Sequence, residues 1–402
     1  MFPGPMISSM WRNRTGPLLV SLQIAVTLAI VVNSLYIIVQ RVEKMNRDTG
    51  MDVENVIISS VRGFGAEYDV ISSITNDIDL IKSLPGVVNA TVTNAIPLSG
   101  GGSGTGLRTV PDENMDSVST ARYRWSEDGL ESLGLQLASG RNFYPEEVDY
   151  ILPDSNPPTP ASVLISSALA HDLFGDVGAL GKTVYWGDMK PSTVIGVIEH
   201  MHGQWVNWDK LENVVVQPGK PANVGNRYII RVEPGRRDEL IPVIEQNLSE
   251  ADRQRVVRYV RPLEDIAADS YQRDRGMAIV LSMVIALLIG LTTLVIVGLA
   301  SFHVTQRTKQ IGTRRALGAR RIDIIRYFIL ENWFITTMGA SLGAILTVGL
   351  AYWLEVTFEL QRLDWRYLPA GITVLWLLSS LAVIEPARRA ASIPPAIATR
   401  SV

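Results

Sequence analysis

The sequence has 402 residues, of which 47% are hydrophobic, and its 37 basic and 40 acidic side chains give a formal net charge of −3. It contains no cysteine and only four histidines, which excludes disulfide staples, thiolate metal sites, iron–sulfur ligation and a cysteine nucleophile. Residues 41–275 carry 23 basic and 34 acidic side chains, a net of −11, whereas the rest of the chain carries a net of +8, so we expect the two parts to face different environments.

Four apolar runs without a charged residue predict four membrane-spanning helices. No Asp, Glu, Lys or Arg occurs in residues 15–40, 276–306, 332–354 and 367–384, and a helix needs about 20 apolar residues to cross a bilayer. The first run is longer than the apolar region of a signal peptide and Val39-Gln40-Arg41 lacks a small-residue cleavage site, so we expect an uncleaved anchor rather than a removed leader. The fourth run is short and has a proline near its start, so a buried or interfacial helix is the alternative there.

The basic residues predict how these helices are oriented. Between the second and third runs, residues 307–326 carry seven basic residues against one acid, Asp323, and Arg12 and Arg14 precede the first run. Basic residues are retained on the cytoplasmic side of a membrane. We therefore expect a bacterial inner-membrane protein with both termini and this link in the cytoplasm, and with the acidic block 41–275 in the periplasm or on the outer face.

The runs predict one span before the exported block and three spans after it. In chain order we expect a cytoplasmic tail at 1–16, a transmembrane helix at 17–40, the periplasmic block at 41–275, a transmembrane helix at 276–304, a cytoplasmic loop or helix at 305–327, a transmembrane helix at 328–354, a short periplasmic loop at 355–366, a transmembrane helix at 367–385 and a cytoplasmic tail at 386–402.

The exported block has the pattern of a mixed α/β domain. Short β-rich runs predict strands at Val56–Val61, Val87–Thr93, Ala161–Ile165, Thr193–Ile198 and Arg227–Val232. Helices are predicted to end at Asp77–Leu84 before a Pro-Gly pair, and to lie at Ser166–Phe174 before Gly175 and at Arg237–Leu248. A loop is expected at 153–160, which is rich in proline and asparagine. This order of strands and helices is typical of layered α/β subdomains.

Two glycine-rich stretches of the block resemble phosphate-binding loops. Gly175, Gly181, Lys182 and Thr183 have the residue types of a P-loop, but five residues separate the glycines where the motif has four. The stretch Ser99–Thr105 lacks the phosphate-binding lysine. We interpret the first as a turn after a helix and the second as a flexible loop, so no nucleotide is expected to bind this chain.

Histidines and tryptophans form a second candidate cluster in the block. His200 and His202 share one face if they lie on a strand, and Glu199 is adjacent, but no third ligand stands at motif spacing. The sequence therefore predicts no metal site. Trp205 and Trp208 pack a loop or form a partner surface, and both alternatives stay open. No nucleophile elbow or HExxH motif is present, and the acidic balance argues against nucleic acid.

The most informative segment is the basic stretch Thr305–Arg326 between the second and third spans. Gly312 and Gly318 interrupt helix-compatible residues, and this pattern suggests a shaped amphipathic helix on the membrane surface. The apolar residues expected on one side are Ile311, Leu317, Ile322, Ile325 and Phe328. The alternative is a charged loop that only fixes the topology.

This segment, QRTKQIGTRRALGARR at 306–321, resembles the signature loop of FtsX-like permeases. The exported block resembles the periplasmic core domain of MacB-type permeases. The matching pieces are Gly50–Val56, Leu84–Val87, Ala95–Gly100, Gly134–Arg141, Leu173–Gly175, Leu180–Lys182 and Val194–Val197. The tail, with Pro386–Ala390 and Pro395–Arg400, is similar to the family's ending. The resemblance covers nearly the whole chain and implies a type VII ABC transporter architecture.

The resemblance also implies partners and a mechanism. Such permeases act as dimers with two ABC-class ATPase subunits, and ATP-driven closure is transmitted to the exported domain, which expels a substrate through a membrane-fusion adaptor and an outer-membrane channel. The second permease would be another copy or a paralogue, and lipid surrounds the spans. The alternatives within the same fold are an FtsX-like regulator of cell-wall hydrolases and a lipoprotein-release permease. The coupling residues that the resemblance implies are Arg307, Gln310, Ile311, Gly312, Arg314, Arg315, Leu317, Gly318, Arg320 and Arg321.

The sequence departs from the family pattern in two respects. The 402 residues contain no Walker A, Walker B or ABC signature, so we expect ATP and magnesium to bind a separate ATPase chain and this chain to be non-catalytic. Gln310 stands where the family usually has glutamate, which suggests the hypothesis of a degenerate half of a heterodimer. In the third span, Gly339 and Gly343 have the spacing that lets membrane helices approach closely, against the alternative of ordinary glycines.

Overall fold

The computed structural model describes residues 15–153, 158–358 and 361–394. The chain divides into two compact units. We call the described residues 15–46 and 274–394 the membrane unit, and residues 47–273 the inserted domain. Arg12, Arg14, the motif 395–400 and part of the predicted loop 153–160 lie outside the described residues.

Ten helices and thirteen strands make up the described part of the chain. The helices are α1 Thr15–Met45, α2 Val70–Ser83, α3 Gly129–Leu133, α4 Ser167–Phe174, α5 Arg237–Ala251, α6 Leu263–Ser270, α7 Gln272–Gln306, α8 Thr308–Ala316, α9 Arg321–Phe358 and α10 Tyr367–Ser392. The strands are β1 Val56–Gly63, β2 Val87–Thr93, β3 Gly104–Leu107, β4 Val118–Trp125, β5 Leu137–Gly140, β6 Tyr150–Ile151, β7 Ser162–Ser166, β8 Thr183–Tyr185, β9 Pro191–Ile198, β10 Val214–Pro218, β11 Lys220–Pro221, β12 Gly225–Val232 and β13 Arg255–Pro262.

Four helices of the membrane unit are long and apolar enough to cross a membrane: α1, α7, α9 and α10, with 31, 35, 38 and 26 residues. The chain is therefore a multi-pass membrane protein with one span before the inserted domain and three after it. The helix α9 begins at Arg321, before the predicted span at 328, and α10 continues through Pro386 to Ser392. Charge-free runs mark the apolar stretch that a bilayer covers, whereas the backbone hydrogen bonds of a helix continue into water beyond it.

Side-chain hydrogen bonds join the membrane helices inside the apolar bundle. Asn33 of α1 donates to the carbonyl of Thr347 in α9 at 3.2 Å, and Thr27 of α1 shares a 2.9 Å hydrogen bond with Thr292 of α7. Ser379 of α10 bonds two residues of α9 in the same way. Each of these bonds satisfies polar atoms that lipid would leave unpaired.

The helix α7 is the least buried of the four. Only Asp274, Thr292, Ile296 and His303 are buried along its 35 residues. At its beginning, the Asp274 carboxylate pairs with Arg41 and lies 3.4 Å from the ammonium of Lys44, both in α1. Within this chain, α7 therefore packs through these few residues rather than through a continuous apolar stripe.

A four-stranded antiparallel sheet, in the order β13-β1-β12-β2, forms one layer of the inserted domain. Val56 of β1 pairs with Arg231 of β12. Successive side chains of β1 point to opposite faces of the sheet. One face packs against α2 and α5 through Ile74, Leu240 and Ile244, which are fully buried. Apolar residues recur at helical spacing in both helices, so each presents one apolar stripe to the sheet.

The second layer is a seven-stranded mixed sheet, in the order β3-β4-β10-β7-β9-β5 with β8 paired to β9. The face of β4 that carries Tyr123 and Trp125 shares one apolar core with Val56, Ile58 and Ile229 of the first sheet. Both aromatic side chains are fully buried. The layered α/β architecture expected from the strand and helix order is confirmed.

A buried ion pair ties the first sheet to its helices. Arg255 of β13 and Asp77 of α2 form a salt bridge, and each side chain is only 1% exposed. The hydroxyl of Tyr228 donates to Asp77 at 2.7 Å, and Arg255 also donates to the carbonyl of Leu248. Burial raises the pKa of Asp77 above its usual value, and the arginine and tyrosine hydrogen bonds oppose this rise. Removal of one partner would leave the other charge buried and uncompensated.

The resemblance of residues 175–183 to a P-loop has no structural basis. Gly175 lies at the carboxyl end of α4 with φ of +63°, where helix carbonyls rather than N–H groups are exposed. Lys182 donates to the carbonyl of Val177 at 2.6 Å and lies over the ring of Phe174. The segment continues into the strand β8, whereas a phosphate loop continues into the amino end of a helix.

Candidate functional site

The predicted coupling segment forms a short helix between two membrane helices. The α7 helix ends at Gln306, α8 spans Thr308–Ala316, and Gly318 follows with φ of +98° before α9 begins at Arg321. This left-handed conformation is readily adopted by glycine and costs other residues energy. Gly318 therefore lets the chain reverse from α8 into α9, and α8 stands as a separate element between them.

One face of α8 packs into the membrane unit. Ile311 is 5% exposed, and Gly312 beside it is buried. Ile311 belongs to an apolar cluster with residues of α9 and α10, namely Ile324, Phe328, Ile335, Val383, Ala387, Ala390 and Ala391. A displacement of α8 would therefore act directly on the first half of α9 and the last turns of α10.

Two arginines of the segment turn inward. Arg307 donates to the Glu331 carboxylate and to the Tyr327 hydroxyl of α9, each at 3.0 Å. Glu331 is 3% exposed. Arg315 donates to the backbone carbonyl of Ile393, just beyond α10. These contacts hold α8 to its neighbours, and Glu331 is a partner that sequence reasoning did not single out.

The remaining predicted residues lie on an outward face, which we call the coupling surface. Its exposed residues are Lys309, Gln310, Thr313, Arg314, Leu317, Gly318, Arg320 and Arg321. Leu317 is 84% exposed, and the guanidinium of Arg314 lies 5.3 Å from the ring centroid of Tyr327. The surface thus combines positive charge with one projecting apolar side chain, a combination suited to a protein partner.

The apolar residues expected on one side of the segment differ in their exposure. Leu317 is exposed, and Ile322 is 48% exposed, whereas Ile311 and Phe328 are buried as expected. The prediction placed these apolar residues on one side of a shaped helix interrupted by Gly312 and Gly318. The reversal at Gly318 breaks the helical periodicity, so residues on either side of it no longer share a face.

The helices α9 and α10 approach α1 closely at glycines. A Cβ atom built on Gly339 would lie 2.8 Å from the carbonyl oxygen of Ser21, and one built on Gly343 would lie 3.0 Å from the Cα of Ala25. A Cβ on Gly371 of α10 would lie 2.4 Å from Val32. The structure therefore places both predicted glycines against α1, and Gly371 is a third glycine that the spacing did not reveal.

A second cluster lies in the inserted domain, at the segment that follows β9. His200, His202 and Glu212 each offer a ligand atom within 4.8 Å of the others. The sequence suggested Glu199 as the nearby acid, but the fold supplies Glu212 instead. Burial, followed by the charge of His200, lowers the pKa of His202 to about 4, so this imidazole is neutral at pH 7.

Beside this cluster, Trp205 and Trp208 line an open cleft of about 530 Å³. Their rings meet edge to face with centroids 5.6 Å apart. The other lining residues come from β3, β4 and the same loop, namely Gly104, Thr105, Ser119, Thr120 and Asn207. The two tryptophans therefore form a wall of the cleft as well as packing on each other.

A four-span membrane unit, a large α/β domain inserted after the first span, and a basic segment after the second define the class of ABC-type permeases. Residues 19–267 match the MacB-like periplasmic core domain, and residues 282–395 match the FtsX-like permease C-terminal domain. The chain therefore belongs to the MacB/FtsX-like family of ABC transporter permeases.

This chain is also similar to the following relatives and to one solved structure. The macrolide export ATP-binding/permease protein MacB of Brucella abortus is 25% identical over 89% of this chain and 53% of its own length. An uncharacterised ABC transporter permease, YvrN of Bacillus subtilis, is 24% identical over 69% of each chain. The periplasmic region of MacB from Actinobacillus actinomycetemcomitans covers 56% of this chain and 94% of its own, with 15% identity and a TM-score of 0.34. The chain spans about half the length of the MacB relatives it matches.

Proposed function

We propose that this chain is the permease subunit of an ABC-type export system. It transmits the ATP-driven motion of a separate ATPase subunit to the inserted domain, which expels a periplasmic or membrane-derived substrate. ATP and magnesium are bound by the partner ATPase in this proposal, and the chain itself is non-catalytic. The family membership supports the permease role.

The observation that carries the proposal is the two-sided character of α8. Its inner face packs on α9 and α10 through Ile311, and Arg307 and Arg315 anchor its ends. Directly after its end, Leu317 is exposed between arginines. A partner that pushes on this outer face moves a helix that is already packed against the membrane unit, which is the requirement for transmission of force across the segment.

Location and partners follow from the same proposal. The arginines of the coupling surface favour the cytoplasmic side, so the inserted domain is periplasmic and both termini are cytoplasmic in an inner membrane. The permease pairs with a second copy or a paralogue, and a membrane-fusion adaptor and outer-membrane channel complete the exit path. Gln310 lies on the coupling surface. In a heterodimer with one degenerate half, the two permeases would differ at this position.

The first experiment tests the coupling surface. Leu317→Glu and Arg314→Glu are expected to reduce co-purification of the ATPase at least about tenfold, because each places a carboxylate on the proposed contact surface, and a buried charge without a partner weakens an interface. Arg389→Glu is the matched control, since Arg389 is exposed, is paired with Glu385 in α10, and lies outside the coupling segment.

Membrane insertion must be measured in parallel, because charge reversal can disturb topology. The chain has no cysteine, so a single cysteine introduced in the inserted domain reports its side of the membrane by labelling with an impermeant maleimide. ATPase recovery at wild-type yield from both correctly inserted variants would contradict the assignment of the coupling surface.

A second experiment separates efflux from its alternatives. Affinity purification of the full chain from its host in mild detergent, followed by mass spectrometry, is expected to recover an ABC ATPase and a membrane-fusion adaptor. An ATPase with a cell-wall hydrolase would instead support an FtsX-like regulator, and an ATPase with lipoproteins alone would support lipoprotein release. Recovery without any ATPase would contradict all three.

A further inference from the structure

The loop that carries the tryptophans begins and ends at one cluster of side chains. His200 and His202 stand just before the loop and Glu212 at its end, and the three ligand atoms lie within 4.8 Å of one another. Inside the loop, Gly203 donates to the carbonyl of Leu211 at 2.7 Å. The cluster therefore lies at the base of a closed loop, where a single ion would contact both of its ends.

His202 is the most unusual member of the cluster. It is 1% exposed, and neither of its ring nitrogens has a hydrogen-bond partner among the residues that the structure describes. Its Nε2 atom lies 3.9 Å from Oε1 of Glu212. A buried polar group without a partner is costly, so the site contains an unused ligand atom that faces a carboxylate.

His200 is oriented for the same role by the segment that begins the inserted domain. Its Nε2 lies 2.8 Å from the carbonyl oxygen of Asp48. A carbonyl only accepts, so Nε2 carries the proton and Nδ1 keeps its lone pair. Histidine ligands of metals commonly donate their other ring N–H to a backbone carbonyl in this manner. Gly50, with φ of +71°, makes this approach possible, because a Cβ there would lie 2.2 Å from the His200 carbonyl oxygen.

We propose that His200, His202 and Glu212 form a binding site for a divalent transition-metal ion, with Zn²⁺ as its ligand. Two imidazoles and a carboxylate form a donor set that zinc favours, and three protein ligands leave the fourth position for water. Tetrahedral bonds of about 2.0–2.1 Å place ligand atoms about 3.4 Å apart. Separations of up to 4.8 Å would have to shorten by up to about 1.4 Å to reach that spacing, and rotation of the exposed Glu212 side chain would contribute to this.

The bound ion would join three parts of the inserted domain. It would link the segment 48–50, through His200, to both ends of the loop that carries Trp205 and Trp208. We expect zinc to order this loop and so to define the wall of the neighbouring cleft. The site does not involve the coupling surface, so the zinc proposal and the proposed permease role can fail independently of each other.

The test uses the full chain in detergent micelles after removal of metal with a chelator. Isothermal titration with Zn²⁺ is expected to show one site per chain, and Co²⁺ in its place is expected to give the visible absorption of a tetrahedral centre. Glu212→Gln and His200→Asn should each raise the dissociation constant at least about tenfold, in line with the sensitivity of metal sites to their ligands.

Two variants serve as controls for specific binding at the cluster. Glu199→Gln removes the acid that is adjacent in sequence but outside the cluster, and His171→Asn removes an exposed histidine elsewhere in the domain. Both should bind Zn²⁺ as the wild type does. The partly exposed Glu212 and His200 are chosen because replacement of the buried His202 can prevent folding, and thermal unfolding of each variant checks this. Absence of a Zn²⁺ site, or equal affinity in all four variants, would overturn the proposal.

Discussion

The close contact of α9 with α1 leads to a prediction about two glycines. Gly339→Ala and Gly343→Ala each add one methyl group where α9 meets α1. At Gly339 the new Cβ would lie 2.8 Å from a backbone oxygen and 2.9 Å from the Ile24 side chain. At Gly343 the nearest atom would be 3.0 Å away, on the backbone of Ala25. Backbone atoms cannot rotate aside, so the two helices must separate.

The expected free-energy change is the sum of two opposing effects. Overpacking of a well-packed contact costs about 1–3 kcal/mol, whereas replacement of glycine by alanine inside a helix gains about 1 kcal/mol in helix propensity. The net expectation at Gly339 and Gly343 is a loss of up to about 2 kcal/mol. A Cβ atom added to Gly349 of the same helix would have no neighbour within 4 Å, so Gly349→Ala should stabilise the helix or leave it unchanged.

Thermal unfolding of the full chain in one detergent measures this contrast. The Gly339 and Gly349 variants share the gain in helix propensity and differ by the overpacking cost of about 1–3 kcal/mol. For a unit of this size, about 1 kcal/mol corresponds to a shift of about 2–4 °C, so the Gly339 variant should unfold about 2–12 °C below the Gly349 variant. Equal unfolding temperatures for all three alanine variants would refute the close contact between α1 and α9. All three proteins must first be shown to insert in equal amounts.

Three further perturbations test the ion pairs. Asp77→Asn should destabilise the inserted domain by about 3 kcal/mol in chemical denaturation because it leaves a buried arginine uncompensated, whereas Asp79→Asn on the exposed face of α2 should have little effect. The hydrogen bond from Arg141 lowers the pKa of Glu147 from 4.5 to about 2. The ionised Glu147 therefore contributes about 1 kcal/mol to the free energy of unfolding after solvent screening, and this contribution is complete above pH 4.5 and is lost as the pH falls toward 2. Glu147→Gln should remove this pH dependence. Asp274→Asn should lower the unfolding temperature of the membrane unit by removing the link between α7 and the basic residues of α1, and an unchanged temperature would contradict that link.

Much of the fold could be predicted because its local signals agree with its tertiary contacts. Val87–Thr93 is a strand with the predicted bounds, since a Pro-Gly turn precedes it and β-branched residues fill it. Ser166 accepts from the backbone N–H of Leu169 at the start of α4, as a capping residue should. The strands β4, β10 and β13 were not predicted, and β10 and β13 pair only with strands that are distant in the chain.

The candidate sites were less predictable for a physical reason. Most residues of the coupling surface were named by the family resemblance of the sequence, but which residues of the segment turn inward depends on the reversal at Gly318 and on Glu331 of α9. Similarly, His200 and His202 were visible as a pair, whereas Glu212 joins them only because the intervening loop closes. Spacing rules detect ligands on one element, and they do not detect ligands that a loop brings together.

The sparse burial of α7 has a consequence for the surrounding membrane. Most of its apolar circumference is not covered by the other described helices of this chain, and Leu287 and Leu294 are 67% and 69% exposed. Hydrophobic mismatch between a helix and a bilayer is relieved by tilting, and the helix with the fewest internal contacts tilts at the lowest cost. We therefore expect the acyl-chain length of the lipids to change the tilt of α7 more readily than that of α1, α9 or α10. Bilayer thickness would then set the resting tilt angle of this helix.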